Sequence, residues 1–148
     1  MRVEQPFAEN GRPIPRRTPT SAPYFDAARE GRLSLQKCPR DGFFFYPRNR
    51  CPDCLQDDWS WQDVSGRGTV YSYTVDRVGL DPTQRERLPL VVALVELEEG
   101  PRLTTNIVGC TADAVTIGMP VEVTFEDLGQ ETLIHFRPQP QPQSKPQS

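Results

Sequence analysis

From residue 68 onward, apolar and polar positions alternate in short bursts, the two-residue period that turns one strand face to a core and the other to solvent. Five segments fit this period: residues 69–78, 88–97, 102–108, 121–128 and 132–137. In the first, Tyr71, Tyr73 and Val75 are expected on one face; in the fourth, Val121, Val123 and Phe125. Residues 90–97 are apolar on both faces, as suits a central strand. Turns are marked by Asp81-Pro82, Glu99-Gly100-Pro101, Ile117-Gly118-Met119-Pro120 and Leu128-Gly129-Gln130. Five short strands predict a small barrel.

A single helical turn fits residues 111–115, between the third and fourth strands. That is where a five-stranded oligonucleotide/oligosaccharide-binding (OB) barrel carries its connecting helix. Upstream the pattern differs. Thr20-Ser21-Ala22-Pro23 offers a hydroxyl cap and an early proline, and Gly31 closes a short helix over residues 24–30. Tyr24, Phe25 and Ala28 fall on one face of it, which predicts packing on its own neighbouring module or on another subunit. Residues 32–37 alternate Leu33 and Leu35 with polar positions and lead as a strand into a turn at Cys38.

That turn carries the chemistry. Cys51-Pro52-Asp53-Cys54 is a tight metal knuckle, and Cys38-Pro39-Arg40-Asp41-Gly42 repeats its spacing with Asp41 where a second thiolate would complete a four-cysteine site. Cys38, Asp41, Cys51 and Cys54 are therefore the candidate ligands of a structural zinc. A carboxylate is a harder and less common structural partner than a thiolate, so zinc is expected either bound with Asp41 or weakened by it. The plain alternative is three small buried thiols in a ribbon that no longer holds metal. No general base stands beside the knuckles, which favours structure over catalysis.

Four consecutive aromatics, Phe43, Phe44, Phe45 and Tyr46, follow the first knuckle. A ribbon this small cannot bury all four, so some are expected to cover the metal site and fill the seam to the barrel, and others to face a ligand or partner. Arg40, Arg48 and Arg50 surround the knuckles and Arg67 enters the barrel; guanidinium forks suit phosphates, and the alternative is pairing with Asp53, Asp57 and Asp58. Phe43, Phe44, Phe45, Tyr46, Arg48, Arg50 and Arg67 are the candidate surface for a phosphate-bearing ligand or a protein partner. His135, the single histidine, is expected as a surface residue of the last strand, Cys110 as a buried thiol, and Glu96, Glu98 and Glu99 as solvated.

Composition narrows the classes. With 148 residues and 36% hydrophobic content, the chain suits one domain, or two small modules sharing a core. Pro6, Pro13, Pro15, Pro19 and Pro23 at one end, and Pro138, Pro140, Pro142 and Pro146 at the other, predict extended or disordered arms. The expected division is an N-terminal arm over 1–20, a helix and zinc ribbon over 21–62, an OB barrel over 63–138 and a disordered Pro/Gln-rich tail over 139–148. The fold class is mainly β. A net charge of −3 works against nonspecific phosphate-backbone binding. No apolar run approaches a membrane span and the first residues lack a secretory signal, so a cytoplasmic location without membrane contact is expected.

The ordered set of a Tyr24-Phe25 helix, Cys38, Cys51-Pro52-Asp53-Cys54, Trp61, Val64-Ser65-Gly66-Arg67-Gly68-Thr69 and Pro89-Leu90-Val91-Val92-Ala93-Leu94-Val95-Glu96-Leu97 resembles the DUF35 family. Thr105-Asn106-Ile107-Val108-Gly109-Cys110, Ile117-Gly118-Met119-Pro120 and Phe136-Arg137-Pro138 continue the likeness, over residues 21–138 in all. The resemblance implies a rubredoxin-like zinc ribbon fused to an OB fold. It also implies a noncatalytic subunit in a hetero-oligomer with a thiolase-like or aldolase-like protein, with a CoA thioester as ligand of the complex. Asp41 departs from the family pattern of two thiolates per turn. Two other readings stand beside it: a nucleic-acid-binding module with Tyr71 and Tyr73 as stacking residues, set against the acidic balance, and a stand-alone enzyme using zinc or Cys110.

Overall fold

The computed structural model describes residues 7–79 and 82–140, those at 82–84 by backbone alone. The first six residues of the expected arm, and the expected tail from residue 141, lie outside them.

One helix, α1 (Ala22–Arg29), starts with Pro23 in its first turn and stops before Gly31, whose φ of 76° is a conformation that favours glycine. Ser21 occupies the cap position without capping; its hydroxyl instead accepts from the Thr18 backbone N–H at 2.8 Å. The helix packs on both modules that follow.

The first module is a three-stranded antiparallel sheet of β1 (Ser34–Cys38), β2 (Gly42–Phe44) and β3 (Ser60–Asp63), ordered β2-β1-β3. Gln36 pairs with Phe44 on one side and Trp61 on the other. The second module is a closed barrel of β4 (Arg67–Asp76), β5 (Leu90–Leu97), β6 (Arg102–Ile107), β7 (Pro120–Asp127) and β8 (Thr132–Pro138), ordered β4-β5-β6-β8-β7. Every pairing is antiparallel except β6 with β8. One 3-10 turn, Ala112–Ala114, joins β6 to β7 and another, Pro82–Arg87, joins β4 to β5. Five strands closing in this order, with a short helical turn after the third, make an OB fold.

The two modules share one apolar cluster. Leu33, and Leu35 from β1, are buried together with Val70, Val95, Leu103, Val121 and Phe136 of the barrel. Burial of such side chains stabilises by roughly 1.5–3 kcal/mol each, so the ribbon and the barrel stabilise one another. Gly68 is required where β4 enters, because a Cβ there would run into the Glu96 carbonyl oxygen.

Three expectations change. Tyr71 and Tyr73 do not share a face: a bulge between Val70 and Ser72 throws Tyr71 outward, 48% exposed, while Tyr73 packs on the core. An extra residue in one strand resets the two-residue period, and the sequence alternation carries no mark of it. Glu96, Glu98 and Glu99 are bonded rather than simply solvated, to Arg102, to Arg67 and to Ser65 respectively. The arm from residue 7 runs along the barrel, with Ile14 buried, Arg12 beside Glu126 and Arg17 on Glu131. Charge pairs and one apolar anchor hold it there despite its prolines.

Candidate metal centre and aromatic seam

Two knuckles of matching backbone build the metal cluster. Cys38 ends β1, and the N–H groups of Arg40 and Asp41 point back at its sulfur; those of Asp53 and Cys54 do the same for Cys51. Each knuckle ends in a left-handed residue, Gly42 at φ 83° and Leu55 at φ 63°. The turn thus closes in the same way whether its fourth residue is Asp41 or Cys54.

The ligand atoms of Cys38, Asp41, Cys51 and Cys54 all lie within 4.8 Å of one another. Cys38 Sγ is 3.6 Å from Cys54 Sγ, and Asp41 Oδ2 is 3.6 Å from Cys38 Sγ and 3.5 Å from Cys51 Sγ. Tetrahedral zinc, with bonds of about 2.3 Å to sulfur and about 2.0 Å to oxygen, requires edges of about 3.8 Å between sulfurs and about 3.5 Å between sulfur and oxygen. The observed edges match, and a single carboxylate oxygen faces two of the thiols. The residues present fit one zinc ion with Asp41 as fourth ligand.

Electrostatics set the two buried thiols apart. Burial pushes the Cys38 thiol up, but the two backbone N–H groups and the neighbouring thiols outweigh it and hold Cys38 below the ordinary thiol range. At Cys51 the backbone N–H groups pull down, yet burial and the two neighbouring thiols leave it raised. Arg40, which the sequence placed only near the knuckles, supports the site: its guanidinium reaches Cys54 Sγ at 3.4 Å and forks onto Asp58 at 2.9 and 2.5 Å. Its positive charge opposes the excess negative charge of three thiolates and a carboxylate on a divalent ion.

The aromatic run divides by strand alternation. Phe44 is buried against Cys38, Cys51 and Trp59, covering the metal cluster, while Phe43 and Phe45 turn the other way onto the barrel core. Phe45 stacks between Tyr24, at 5.7 Å, and Tyr46, at 4.2 Å between ring centroids. Tyr46 is 51% exposed. Together with Pro15, Phe25, Leu103 and Ile134, these rings border a cleft of about 340 Å³ where arm, helix, ribbon and barrel meet.

The arginines do not converge. Arg67 is committed to Glu98 through two nitrogens at 3.1 Å, Arg50 donates to the Leu55 carbonyl at 3.1 Å and Arg48 to the Tyr46 carbonyl at 3.2 Å. Of these three, only Arg48 comes near the aromatic cleft, through that carbonyl, whereas Arg16 of the arm lines the cleft itself. Tyr71 already carries the Arg102 guanidinium 3.7 Å above its ring, so the barrel offers no open stacking pair with Tyr73. His135, expected on the surface, is 7% exposed with Nε2 at 2.6 Å from Glu126 Oε2. Glu126 of β7 and Arg12 of the arm flank it, and strand periodicity cannot report a segment so distant in sequence. Cys110 is half-buried and burial pushes its thiol up, away from nucleophilic thiolate. No helix among the described residues is long and apolar enough to cross a membrane.

Comparison with known proteins gives the same two-part division. The family model for the ChsH2 rubredoxin-like zinc ribbon domain matches residues 25–60, and that for the ChsH2 C-terminal OB-fold domain matches residues 61–126. A probable enoyl-CoA hydratase alpha subunit of Thermomonospora curvata is 41% identical over 129 residues; the match covers 86% of this chain and 40% of that protein, so the chain spans well under half of that relative. A DUF35 domain-containing scaffold protein of Methanothermobacter thermautotrophicus is 39% identical over 101 residues, 67% of this chain and 75% of the relative. Among solved structures, a chain described as Ltp2-ChsH2(DUF35) aldolase superposes with a TM-score of 0.75 at 39% identity, covering 84% of this chain and 98% of that one.

Proposed function

This chain belongs to the DUF35 family of zinc-ribbon and OB-fold proteins, and on that footing we propose that it is an accessory subunit that docks on the catalytic partner of an acyl-CoA enzyme and performs no chemistry alone. The observation that carries this reading is the match along 98% of the DUF35 chain of an aldolase. The hydratase subunit and the scaffold protein among its relatives support the same role. The partner is a thiolase-like or aldolase-like protein and the assembly a hetero-oligomer.

The docking face in this reading is the aromatic seam. Tyr46 stands half in solvent over an apolar cleft, in the manner of an aromatic anchor that gains burial only when a second surface closes on it. The zinc held by Cys38, Asp41, Cys51 and Cys54 is structural: it supplies a rigid node that fixes both knuckles, and with them β1 and the Phe43 to Tyr46 run. Arg48, beside that run, is the residue offered to CoA phosphates, while Arg50 turns to the Leu55 carbonyl of the second knuckle. Arg67 leaves the set because Glu98 satisfies it.

Co-expression with a thiolase-like or aldolase-like protein tests the proposal. A hetero-oligomer is expected on size exclusion, with Tyr46→Ala weakening association by about 2 kcal/mol, roughly thirtyfold, while the fold persists. Thioester turnover by the isolated chain, or association unaffected by changes at Phe45 and Tyr46, would sink it.

A further inference from the structure

A second cleft, of about 440 Å³, opens in the barrel where β5 begins and β6 ends. It shares no residue with the metal cluster or the aromatic run. Arg12 of the arm and Arg87 of the 3-10 turn before β5 reach its rim, with Asn106, Cys110, Glu126 and His135 among its walls.

Its charges do not balance. Glu126 is the carboxylate among the described lining residues, and its Oε2 is already taken by His135 Nε2 at 2.6 Å. Arg12 approaches the same oxygen only to 3.5 Å, beyond a good charge-assisted hydrogen bond. Burial holds the Arg12 guanidinium below its ordinary range; Glu126 opposes that, and the positive charge of Arg87 adds to it. Cys110 brings no negative charge, because burial keeps its thiol protonated. His135 Nδ1 is buried with no hydrogen-bond partner among the described residues. Two guanidinium groups that repel one another in a half-desolvated cleft, around one shared carboxylate, leave it net positive, with room for more than a single small anion.

We propose that this cleft is a binding site for an oxyanion group, a phosphate or a carboxylate, held between Arg12 and Arg87 against the wall formed by His135 and Asn106. A planar guanidinium fork matches two oxygens of either group, and an anion there turns the Arg12–Arg87 repulsion into two attractions. The cleft is open to solvent and exceeds one oxyanion in volume, so the ligand is a free small anion or the terminal group of a longer molecule.

The test uses the full chain titrated with inorganic phosphate and, separately, with acetate, each at constant ionic strength against chloride. Side-chain nitrogen resonances of Arg12, Arg87 and His135 are followed by NMR. Saturable shifts of all three are expected. Arg87→Gln should weaken the apparent affinity by about tenfold or more, and Arg87→Lys, which keeps the charge but loses the fork, by an intermediate amount. A response confined to phosphate identifies a phosphate-bearing ligand, and one confined to acetate a carboxylate-bearing ligand. No shift beyond the chloride control with either probe, or shifts of equal affinity in Arg87→Gln, overturns the site.

Discussion

Arg17 grips Glu131 with two parallel bonds, Nε to Oε1 at 2.8 Å and Nη2 to Oε2 at 3.0 Å, across 114 residues of sequence. Glu131 sits in the turn between β7 and β8, only 7% exposed, and a third Arg17 nitrogen reaches Asp26 of α1 at 2.6 Å. One guanidinium therefore joins arm, helix and barrel.

Arg17→Ala is expected to destabilise the fold by about 2 kcal/mol in urea denaturation, because it strands a buried carboxylate, with part of the full penalty relieved by the partial exposure of the arginine side. The double variant Arg17→Met with Glu131→Leu should recover most of that loss, since removing both charges removes the stranded one. A single variant as stable as the parent would show that the Arg17–Glu131 pair contributes nothing to the fold.

Asp41 is expected to contribute one quarter of the metal site. If about 10–16 kcal/mol of zinc affinity is divided among four ligands, Asp41→Ala should cost about 2.5–4 kcal/mol and weaken zinc by roughly 70- to 900-fold, measured by competition with a chromophoric chelator. Asp41→Cys should tighten it, and cobalt substitution should then add a fourth thiolate to the charge-transfer spectrum. Arg40→Ala, which leaves every ligand in place, should cost between tenfold and about 100-fold.

Leu55 completes the second knuckle at φ 63° with its side chain 63% exposed. A left-handed non-glycine residue carries a cost of about 1–2 kcal/mol, and the first knuckle avoids it with Gly42. Leu55→Gly is expected to raise the stability of the zinc-loaded protein by about 1 kcal/mol after the greater unfolded-state entropy of glycine is subtracted. Thermal unfolding would check this, and a lowered midpoint would mean that Leu55 packs in a way its exposure hides.

Tyr24 gives the alkaline limit. Burial, and secondarily the nearby Tyr46, raise its phenol above the ordinary range. A raised folded pKa means that the native state holds the proton more tightly. Its contribution is then complete below about pH 10 and is lost as pH climbs from there toward the folded value. Urea midpoints between pH 9 and pH 11 should fall less steeply in Tyr24→Phe than in the parent, the difference isolating this phenol from the other groups that titrate there.

Strand existence was legible because burial on one face imposes a two-residue period that side chains record directly. Residues 102–108 and 132–137 were expected as strands and appear as Arg102–Ile107 and Thr132–Pro138. β3 escaped because its four residues, Ser60 to Asp63, carry one apolar side chain, Trp61, and are too few for a period to show. The ligand spacing was equally legible, since a chelating turn is local. Arg40 as a prop for Cys54 was not, because only folding turns the guanidinium that pairs with Asp58 onto a thiol of the other knuckle.

By itself the amino-acid order settled what local chemistry can settle: the helix with its proline start and glycine stop, the two knuckles and the barrel strands. Each of these marks residues a few positions apart, the caps and turns through local sterics and hydrogen bonds and the strands through the two-residue period that one-sided burial imposes. Folding alone decided that Tyr71 leaves the face of Tyr73, that His135 is covered, that Glu131 is answered by Arg17 and that Arg12 and Arg87 converge. Those outcomes are set by which distant segments come to lie together, and charge pairing and burial between such segments leave no periodic mark along a single strand of text.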